Sequence, residues 1–426
     1  MSKDGVEAAG AKDGARDATY LSGRDAADFL GVKRETLYAY ASRGLVRSEP
    51  GIGSRARRYR RDDLERLKAR HDARSGHGPV AAGALRWGEP VLASAITELT
   101  AEGPRYRGQL AVRLAAESSF EAVSELLWTG ALPAHPPSPT PTKAGVLALP
   151  LDALAALAGP AAHPVTVLSL AVAALGAVAP VADDEPREAV LERARDFVRT
   201  MACLIGFATD RQSVARALAE PTAARAILAA FGRSIDPRAE RLVEAALILS
   251  ADHELNPSTF AVRVAASVRA DFHACAAAGL ATLSGTKHGA SCDRVEAFLR
   301  SARPDDAQAL VRDRAALGKP LPGFGHPVYP DGDPRAPPLL SLALAIAPEN
   351  PMVRAAIALV GAAAEAGGEA PNIDLGLAAA SAALGLPARA ATGLFAVGRT
   401  AGWIAHALEQ REAGFVLRPR ARYTGA

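Results

Sequence analysis

The sequence lacks the features that mark several large classes of protein. Only three cysteines occur in 426 residues, at wide spacing, so we expect no disulfide framework and a reducing environment. No Cys/His cluster has the spacing of a zinc site, and there is no glycine-rich phosphate-binding loop. The segment 165–181 is apolar but short for a bilayer, and the N-terminus has no apolar signal region. We therefore predict a cytoplasmic protein with no metal, no tightly bound cofactor and no membrane association.

Aromatic residues are also scarce. They make up 5% of the chain, whereas hydrophobic residues make up 49% and are dominated by Ala and Leu. This composition favours packed helices over sheets, and the length allows two or three domains. We predict an all-α fold in which the segment 165–181 is a buried core helix.

Positive charge is concentrated near the N-terminus. Residues 18–75 contain 14 Lys and Arg against 8 Asp and Glu, whereas the whole chain carries a net charge of only +3. Residues 1–17 are small and polar and are predicted to be a disordered tail, and the segment 76–92, with its Gly and Pro, is predicted to be a linker. A basic domain at 18–75 thus precedes a mildly acidic body, and nucleic acid is one candidate partner of the basic domain.

The basic domain has the pattern of a DNA-docking module. Ser22 to Asp25 form a capping box before a short helix, Gly31-Val32 predicts a turn, and a second helix stops near Gly44. The basic segment 54–63 predicts a β-wing that leads into a third helix. In the stretches LSGRDAADFLGVKRETLYAYASRGLVR and RRYRRDDLERL the domain resembles the winged helix-turn-helix of the MerR and excisionase families.

That resemblance implies double-stranded DNA as a partner. It places Lys33, Arg34, Thr36 and Tyr38 toward a major groove, and Arg57, Arg58 and Arg60 on backbone phosphates. Two other interpretations stay open: the module packs on the body without binding DNA, or it only mediates assembly.

Beyond residue 250, polar segments interrupt the apolar helical pattern. They read ADHELNPST, SGTKHGASC, GFGHPVYPDGDPRA, PNIDLG, GRTAGWIAHALEQ and LRPRARYTG. The candidate residues in them are three imidazoles, one carboxylate and three guanidiniums, namely His253, His288, His326, Asp374, Arg335, Arg399 and Arg418. They stand near Gly and Pro, which allow close approach and restrict loop motion. Guanidiniums bind carboxylates in a bidentate fork, and a carboxylate base with imidazole donors suits removal of a proton next to a carbonyl. The set therefore predicts carbon–carbon bond formation from an acyl thioester and a small polycarboxylate.

From about residue 93 to 426 the chain resembles the citrate synthase family. The resemblance begins with PRYRGQLAVRLAAESSFEAVSELLWTGALP and continues through the six segments in the family's order. It implies an all-α body with a large domain at 93–264 and 369–426, a small domain at 265–368, and a cleft that closes on substrate. It also implies an acyltransferase that makes citrate and CoA from acetyl-CoA, oxaloacetate and water.

The resemblance assigns roles to individual residues. Asp374 corresponds to the base that deprotonates the acetyl-CoA methyl group, His288 to the residue that stabilises the enol, and His326 to the acid that protonates the oxaloacetate carbonyl. The residues that bind the carboxylates of oxaloacetate and citrate in the family correspond here to His253, Arg335 and Arg399. One further such residue, supplied across a homodimer interface, corresponds to Arg418. The loop that wraps the CoA adenine corresponds to Leu317, Gly318, Lys319, Pro322, Gly323, Phe324 and Gly325, whose glycines would let CoA lie against the backbone.

Three positions depart from the family pattern. The usual H-G-G-A-N after the first catalytic histidine reads His288-Gly-Ala-Ser-Cys here, Pro327 replaces a frequent Arg, and Leu375 replaces an aromatic residue. These changes leave open 2-methylcitrate synthesis from propionyl-CoA and citryl-CoA cleavage. A function of another class also stays open, namely a DNA-binding regulator whose body senses a CoA ester or a carboxylate.

Overall fold

The structure is a computed structural model that describes residues 20–50, 57–74, 92–137, 145–159, 162–178, 185–208 and 210–419, without the side chains of 66 and 69–74. The chain forms two compact units, Met1–Ala93 and Ser94–Ala426, called the N-terminal unit and the body below. The predicted tail 1–17 and nearly all of the predicted linker 76–92 lie outside the described residues.

The N-terminal unit is a small winged helical module. Its elements are β1 (Tyr20–Ser22), α1 (Gly23–Leu30), α2 (Arg34–Ser42), β2 (Ser48–Pro50), β3 (Arg57–Arg60) and α3 (Arg61–Arg74). Ser22 caps α1 as predicted, since its Oγ accepts the Asp25 N–H at 3.2 Å and its hydroxyl donates to the Asp25 carboxylate at 2.8 Å. Gly31 ends α1 with a φ of 64°, a left-handed conformation that favours glycine.

The three strands form one antiparallel sheet in the order β1-β3-β2. Tyr59 in the central strand is buried and packs in a core with Leu37 of α2 and Leu64 of α3. Because side chains alternate along a strand, Arg58 and Arg60 lie on the other face of β3. The predicted helix, turn, helix and wing are confirmed; strand β1 was not predicted.

The body begins with a small antiparallel sheet and is otherwise helical. The strands are β4 (Thr97–Thr100), β5 (Gly103–Tyr106) and β6 (Gln109–Leu110). The helices are α4 (Ala111–Glu117), α5 (Phe120–Thr129), α6 (Leu151–Ala158), α7 (Pro164–Val178), α8 (Arg187–Leu204), α9 (Ser213–Leu218), α10 (Ala223–Ala230), α11 (Pro237–Ser250), α12 (Pro257–Ser267), α13 (Phe272–Leu283), α14 (Ser291–Ser301), α15 (Ala307–Ala316), α16 (Ala336–Ile346), α17 (Pro351–Glu365), α18 (Ile373–Ala383) and α19 (Ala390–Ala413). Short 3₁₀ turns occupy Val146–Ala148 and Pro304–Asp306.

Helix α19 is the centre of the body. It is buried from Ala390 to Ala407 and packs against α11, α12, α13 and α18. A helix that is apolar on all sides is stable only when other elements cover it. The Ala-rich helices of the body therefore pack around α19. Helix α7 overlaps the segment 165–181 that was predicted to be a core helix; it buries seven of its 15 residues, and residues 179–181 lie outside the described part of the chain. Among the described residues, no helix combines the length and the hydropathy that a bilayer crossing needs.

The all-α prediction is confirmed, since 62% of the described residues are helical and 6% lie in strands. The predicted division of the body into a large and a small domain stays a prediction. One detail bears on its boundary: α12 runs to Ser267, so a boundary after residue 264 would fall inside a helix.

Candidate active site

The predicted site residues stand on loops and helix ends of the body. His253 follows α11, His288 lies between α13 and α14, and His326 and Arg335 lie on the loop between α15 and α16. Asp374 is in the first turn of α18 and Arg399 is inside α19. The candidate site is therefore drawn from segments that are far apart in sequence.

The loop between α15 and α16 is fixed to the start of α18. The Gly325 N–H donates to the Ala370 carbonyl at 2.9 Å, and the Asn372 N–H donates to the Gly323 carbonyl at 2.9 Å. The Asn372 side chain donates to the Gly325 carbonyl at 2.9 Å and accepts the Asp374 N–H at 3.1 Å, which caps α18. These bonds hold His326 and Asp374 in one rigid arrangement.

Arg335 is held by a carboxylate that the sequence analysis did not single out. Its Nε and Nη2 donate to the two oxygens of Asp333 at 2.9 and 2.8 Å, and both side chains are buried. Asp333 also accepts the N–H of Ile373 at 3.0 Å, so this pair joins the loop to α18. Burial lowers the pKa of Arg335, but the neighbouring Asp333 more than reverses this, and the net pKa is raised.

Arg399 differs because no carboxylate among the described residues forms an ion pair with it. Its side chain is buried, its Nε donates to the Ser250 carbonyl at 2.7 Å, and its guanidinium lies 4.8 Å from the Phe395 ring centroid. Burial lowers its pKa to about 10, against an opposing effect of Asp252. A buried cation without a partner is costly, so the arrangement favours an anionic ligand at this point.

His253, His326 and Tyr329 form a cluster of rings. His253 Nε2 lies 3.0 Å from the Tyr329 hydroxyl, and the two imidazole centroids are 5.3 Å apart. The Val328 N–H donates to His326 Nδ1 at 3.2 Å, so neutral His326 carries its proton on Nε2. That nitrogen is 3.5 Å from Arg335 Nη2, next to the guanidinium. His326 thus presents an N–H donor beside a carboxylate-binding group.

The three imidazoles are neutral at physiological pH. Burial, and then the charges of Arg335 and Arg399, hold the pKa of His253 well below its usual value. Burial followed by Arg399 lowers the pKa of His288 to about 4, and burial followed by Arg335 lowers that of His326 to about 4. A neutral imidazole keeps one N–H group, which can donate a hydrogen bond to an oxygen on which negative charge develops. His326 would donate this bond through Nε2.

His288 is oriented by a hydroxyl. Its Nε2 lies 2.8 Å from Ser258 Oγ, which also accepts the Trp403 indole N–H at 3.2 Å. The single proton of Ser258 has two acceptors within reach, Asn256 Oδ1 at 2.7 Å and His288 Nε2. When it goes to His288, the neutral imidazole carries its proton on Nδ1 and can donate from that side.

Asp374 is a partly exposed carboxylate at the N-terminus of α18. Its Oδ2 accepts the Ser291 hydroxyl, and its Oδ1 accepts the Cys292 thiol with the sulfur at 3.0 Å. Burial raises its pKa, while Cys292, Ser291 and Arg335 act in the opposite direction. Asp374 is therefore a stronger base than an exposed Asp.

The loop predicted to bind CoA is exposed at its start and buried at its centre. Leu317, Gly318 and Lys319 are exposed, Pro322 and Gly325 are half-buried, and Gly323 and Phe324 are buried.

Two glycines of this loop have an internal role that the sequence did not reveal. Gly323 and Gly325 have φ values of 85° and 73°, which favour glycine. A Cβ on Gly323 would lie 3.0 Å from Leu375, and one on Gly325 would lie 2.6 Å from the Glu369 carboxylate. These glycines therefore allow the loop to approach Leu375 and Glu369, and their contact with CoA stays a prediction.

Arg418 is exposed on the segment after α19, and it makes no hydrogen bond or ion pair with any described residue. The segment is held to α12 by the Leu417 N–H, which donates to Ser267 Oγ at 3.1 Å. Within one chain, the structure does not bring Arg418 to the other site residues.

Five residues around the site were missed from the sequence. Asp333 and Tyr329 stand in the same loop as His326, and Ser258 lies in the first polar segment, ADHELNPST. Ser291 and Cys292 were noted only as departures from a motif. Alternation of charge in DGDPRA was the one signal that could have pointed to Asp333 as the partner of Arg335.

Chemically, the site can bind an anion and move protons without a metal. The described residues hold no group of three or more His, Cys, Asp or Glu side chains that could bind a metal ion. Two guanidiniums supply positive charge, a carboxylate supplies a base, and neutral imidazoles supply donors.

In the N-terminal unit, α2 presents the side chains predicted to face DNA. Lys33, Arg34 and Tyr38 are exposed and Thr36 is half-buried, whereas Leu37 points into the core. The N-terminal part of α2 thus offers a polar and basic surface.

On the wing, the three arginines differ. Arg57 is exposed, Arg58 lies over the Tyr20 ring at 5.0 Å, and Arg60 pairs with Asp62 at 3.2 Å. Arg57 is therefore the wing arginine most available to an external anion.

Comparison with known families assigns the two units. The family model "Citrate synthase, C-terminal domain" matches residues 84–420, and the model "Helix-turn-helix domain" matches residues 20–72. The chain belongs to the citrate synthase family.

Individual relatives agree with this assignment. The chain is 33% identical to a citrate synthase of Haloferax volcanii over 73% of its own length and 87% of that protein. It is 30% identical to a 2-methylcitrate synthase of Mycobacterium tuberculosis over 75% and 84% of the two chains. Both names belong to enzymes that are similar to this one.

Solved structures share the fold. Citrate synthase from Pyrobaculum aerophilum superimposes with a TM-score of 0.67 at 28% identity, covering 79% of this chain and 91% of that one. A ternary complex of citrate synthase from Thermoplasma acidophilum with carboxymethyl coenzyme A and oxaloacetate gives 0.66 at 25% identity, covering 79% and 94%. The citrate synthase fold of the body is thereby established.

Proposed function

We propose that this citrate synthase family enzyme condenses acetyl-CoA with oxaloacetate and water to give citrate and CoA. The observation that carries the proposal is that a buried guanidinium with no ion-pair partner among the described residues, Arg399, occurs together with imidazoles that are neutral at physiological pH. A dicarboxylate would supply the missing negative charge, and its carbonyl would find a neutral donor.

In the proposed mechanism, Arg335, Arg399 and His253 bind the carboxylates of oxaloacetate. Asp374 removes a proton from the acetyl methyl group, and His288 donates a hydrogen bond to the enol oxygen. The raised pKa of Asp374 favours this step, because a stronger base meets a weakly acidic carbon.

His326 then protonates the oxaloacetate carbonyl as the new carbon–carbon bond forms. Its Nε2–H beside Arg335 supports this role, because the guanidinium stabilises the oxyanion that develops there. Hydrolysis of the resulting thioester by water releases CoA and citrate.

The acyl donor and the quaternary structure belong to the same proposal. The exposed residues Leu317, Gly318 and Lys319 would contact CoA, and the pocket would take acetyl-CoA in preference to propionyl-CoA.

Arg418 would reach the site of a second copy in a homodimer; Phe415 and Val416, 49% and 56% exposed, support an interface at this tail. The free, buried cysteines agree with a cytoplasmic location.

The test is oxaloacetate-dependent release of the CoA thiol from acetyl-CoA and from propionyl-CoA, by the wild type and by Asp374→Asn. We expect turnover with acetyl-CoA that exceeds turnover with propionyl-CoA and is lost in the variant, with oxaloacetate binding retained. Preference for propionyl-CoA would identify a 2-methylcitrate synthase, and cleavage of citryl-CoA without condensation would reverse the proposed direction.

A second function, DNA binding, is favoured by the exposed face of α2 in the N-terminal unit. A dimeric body would present two such units, as paired half-sites require. Binding to duplex DNA that weakens steeply with salt would support this proposal, and its absence at low salt would leave a role in assembly.

A further inference from the structure

Two consecutive residues at the start of α14 donate to the carboxylate of Asp374. Ser291 donates its hydroxyl to Oδ2, and Cys292 donates its thiol to Oδ1 with the sulfur at 3.0 Å. Each oxygen of the carboxylate therefore has a donor from another helix. Cys292 has no exposed surface, so its thiol faces Asp374 inside the protein and not the solvent.

The contact is directional. A carboxylate in the first turn of α18 can rotate about its side-chain torsions, but two donors on two oxygens fix the plane of the group. Hydrogen bonds to the charged form also stabilise that form, so they oppose the effect of burial on this carboxyl group. The same two donors can thus control both the orientation and the protonation of Asp374.

Two charged groups on the loop before α16 also affect the ionisation of Asp374. Arg335 lowers the pKa of Asp374 and Asp333 raises it, while the Cys292 thiol of α14 lowers it through its hydrogen bond. Burial and the neighbouring carboxylates Asp374, Asp293 and Glu296 raise the pKa of Cys292 far above its usual value, so the thiol keeps its proton and stays a donor.

We propose that Ser291 and Cys292 are positioning residues for the base: they orient the Asp374 carboxylate and oppose the effect of burial on its ionisation. This inference rests on the proposed function of Asp374. It also gives a meaning to the departure from the H-G-G-A-N motif, because the hydroxyl and the thiol stand where that motif has Ala and Asn.

The experiment compares the pH profile of kcat in the wild type, Ser291→Ala and Cys292→Ala. Loss of a donor destabilises the ionised carboxylate, so the pKa of Asp374 rises. The acidic limb of the profile should then move to higher pH by about one unit in each variant, and further in the double variant. Ser291→Thr and Cys292→Ser keep a donor, and their limbs should stay closer to the wild-type position.

Ser301→Ala is a matched control at the other end of α14, where the hydroxyl only donates to the Phe298 carbonyl of its own helix. Its profile should equal that of the wild type. A loss of rate in Ser291→Ala with no movement of the acidic limb would overturn the proposal, since a merely structural role predicts that result.

A second readout does not depend on turnover. The carboxyl carbon of Asp374 is followed by NMR in protein labelled with ¹³C at Asp side chains, and its signal is assigned by its absence in Asp374→Asn. A higher titration midpoint in Ser291→Ala and Cys292→Ala supports the proposal, and an unchanged midpoint refutes it. If the wild type turns over neither acyl-CoA, the proposed function fails and this titration alone decides the role of Ser291 and Cys292.

Discussion

One ion pair from each unit of the molecule shows two different uses of charge. In the N-terminal unit, ion pairs such as Arg61–Glu65 stand in solvent, with side chains 47% and 54% exposed. In the body, Arg335 and Asp333 pair with 3% and 0% of their side chains exposed. Solvated charges contribute little to stability and stay available to a polyanion, whereas buried charges are held in place for a small ligand.

The body itself contains a second contrast. Arg335 is neutralised by Asp333, but Arg399 is buried to the same degree and has no ion-pair partner among the described residues. In the proposed site Arg335 is thus held in place by its own carboxylate partner, whereas the positive charge of Arg399 is left for substrate. The predictions below test these differences, beginning with the largest expected effect.

The largest effect is expected from Asp333→Ala. The change leaves Arg335 buried without its counter-charge and leaves the Ile373 N–H without its acceptor. Breaking a buried pair by removing one partner costs about 3–5 kcal/mol. Urea unfolding followed by tryptophan fluorescence should report this loss, because Trp128 and Trp403 are buried in the body.

The matched control is Glu65→Ala in the N-terminal unit. It breaks an exposed pair four residues apart on a helix, so the free energy of unfolding should change by about 0.5 kcal/mol or less. Equal effects of the two variants would contradict the distinction between buried and solvated charge.

The next largest effect is expected on binding. Arg399→Met removes a cation without an ion-pair partner, so the free energy of unfolding should stay within about 1 kcal/mol of the wild type. The dissociation constant for oxaloacetate should rise about 100-fold, since a charge-assisted contact is lost. Calorimetric titration gives both the affinity and proof that the protein is folded. Unchanged affinity would remove Arg399 from the substrate site.

The pH dependence of stability provides a third test. The pKa of His326 is about 4 in the folded protein, against about 6.5 in the unfolded chain. Between these values the unfolded state binds a proton that the folded state does not, so the free energy of unfolding falls as the pH falls from about 6.5 to about 4. His326→Asn should reduce that fall by about 2 kcal/mol, measured by urea unfolding across this range. An unchanged slope would show that the pKa of His326 is not lowered in the folded protein.

Much of the site could be found from the sequence because its residues stand in short polar segments of an otherwise apolar helical chain. Three of these segments are visible in the sequence, each around one histidine: His253, His288 or His326. In the structure, burial and neighbouring arginines lower the pKa of all three imidazoles and keep them neutral. The winged helix-turn-helix was also accessible, because its caps, turn and basic wing are local features.

Long-range partners could not be found in that way. Ser258 lies 30 residues from His288, and Tyr329 lies 76 residues from His253. No local periodicity links such pairs, since packing of α12, α13 and the loop after α15 brings them together. The internal role of Gly323 and Gly325 was missed for the same reason, because the groups they approach, Leu375 and Glu369, are distant in sequence.

The smallest effect is expected in the N-terminal unit, where single charges are solvated. Arg57→Ala should weaken binding to duplex DNA by roughly fivefold to tenfold, and should lower the slope of log affinity against log salt by about 1. Arg58 and Arg60 already contact Tyr20 and Asp62, so replacing them would mix a binding effect with a folding effect.

Arg238→Ala, at an exposed arginine of the body, is the matched control and should leave both the DNA affinity and its salt dependence unchanged. Citrate formation should be equal in all of these proteins, because a solvated charge outside the body does not alter the buried charges that perform the chemistry. If Arg57→Ala and Arg238→Ala reduce DNA affinity equally, the binding is a property of net charge and α2 and the wing form no specific surface.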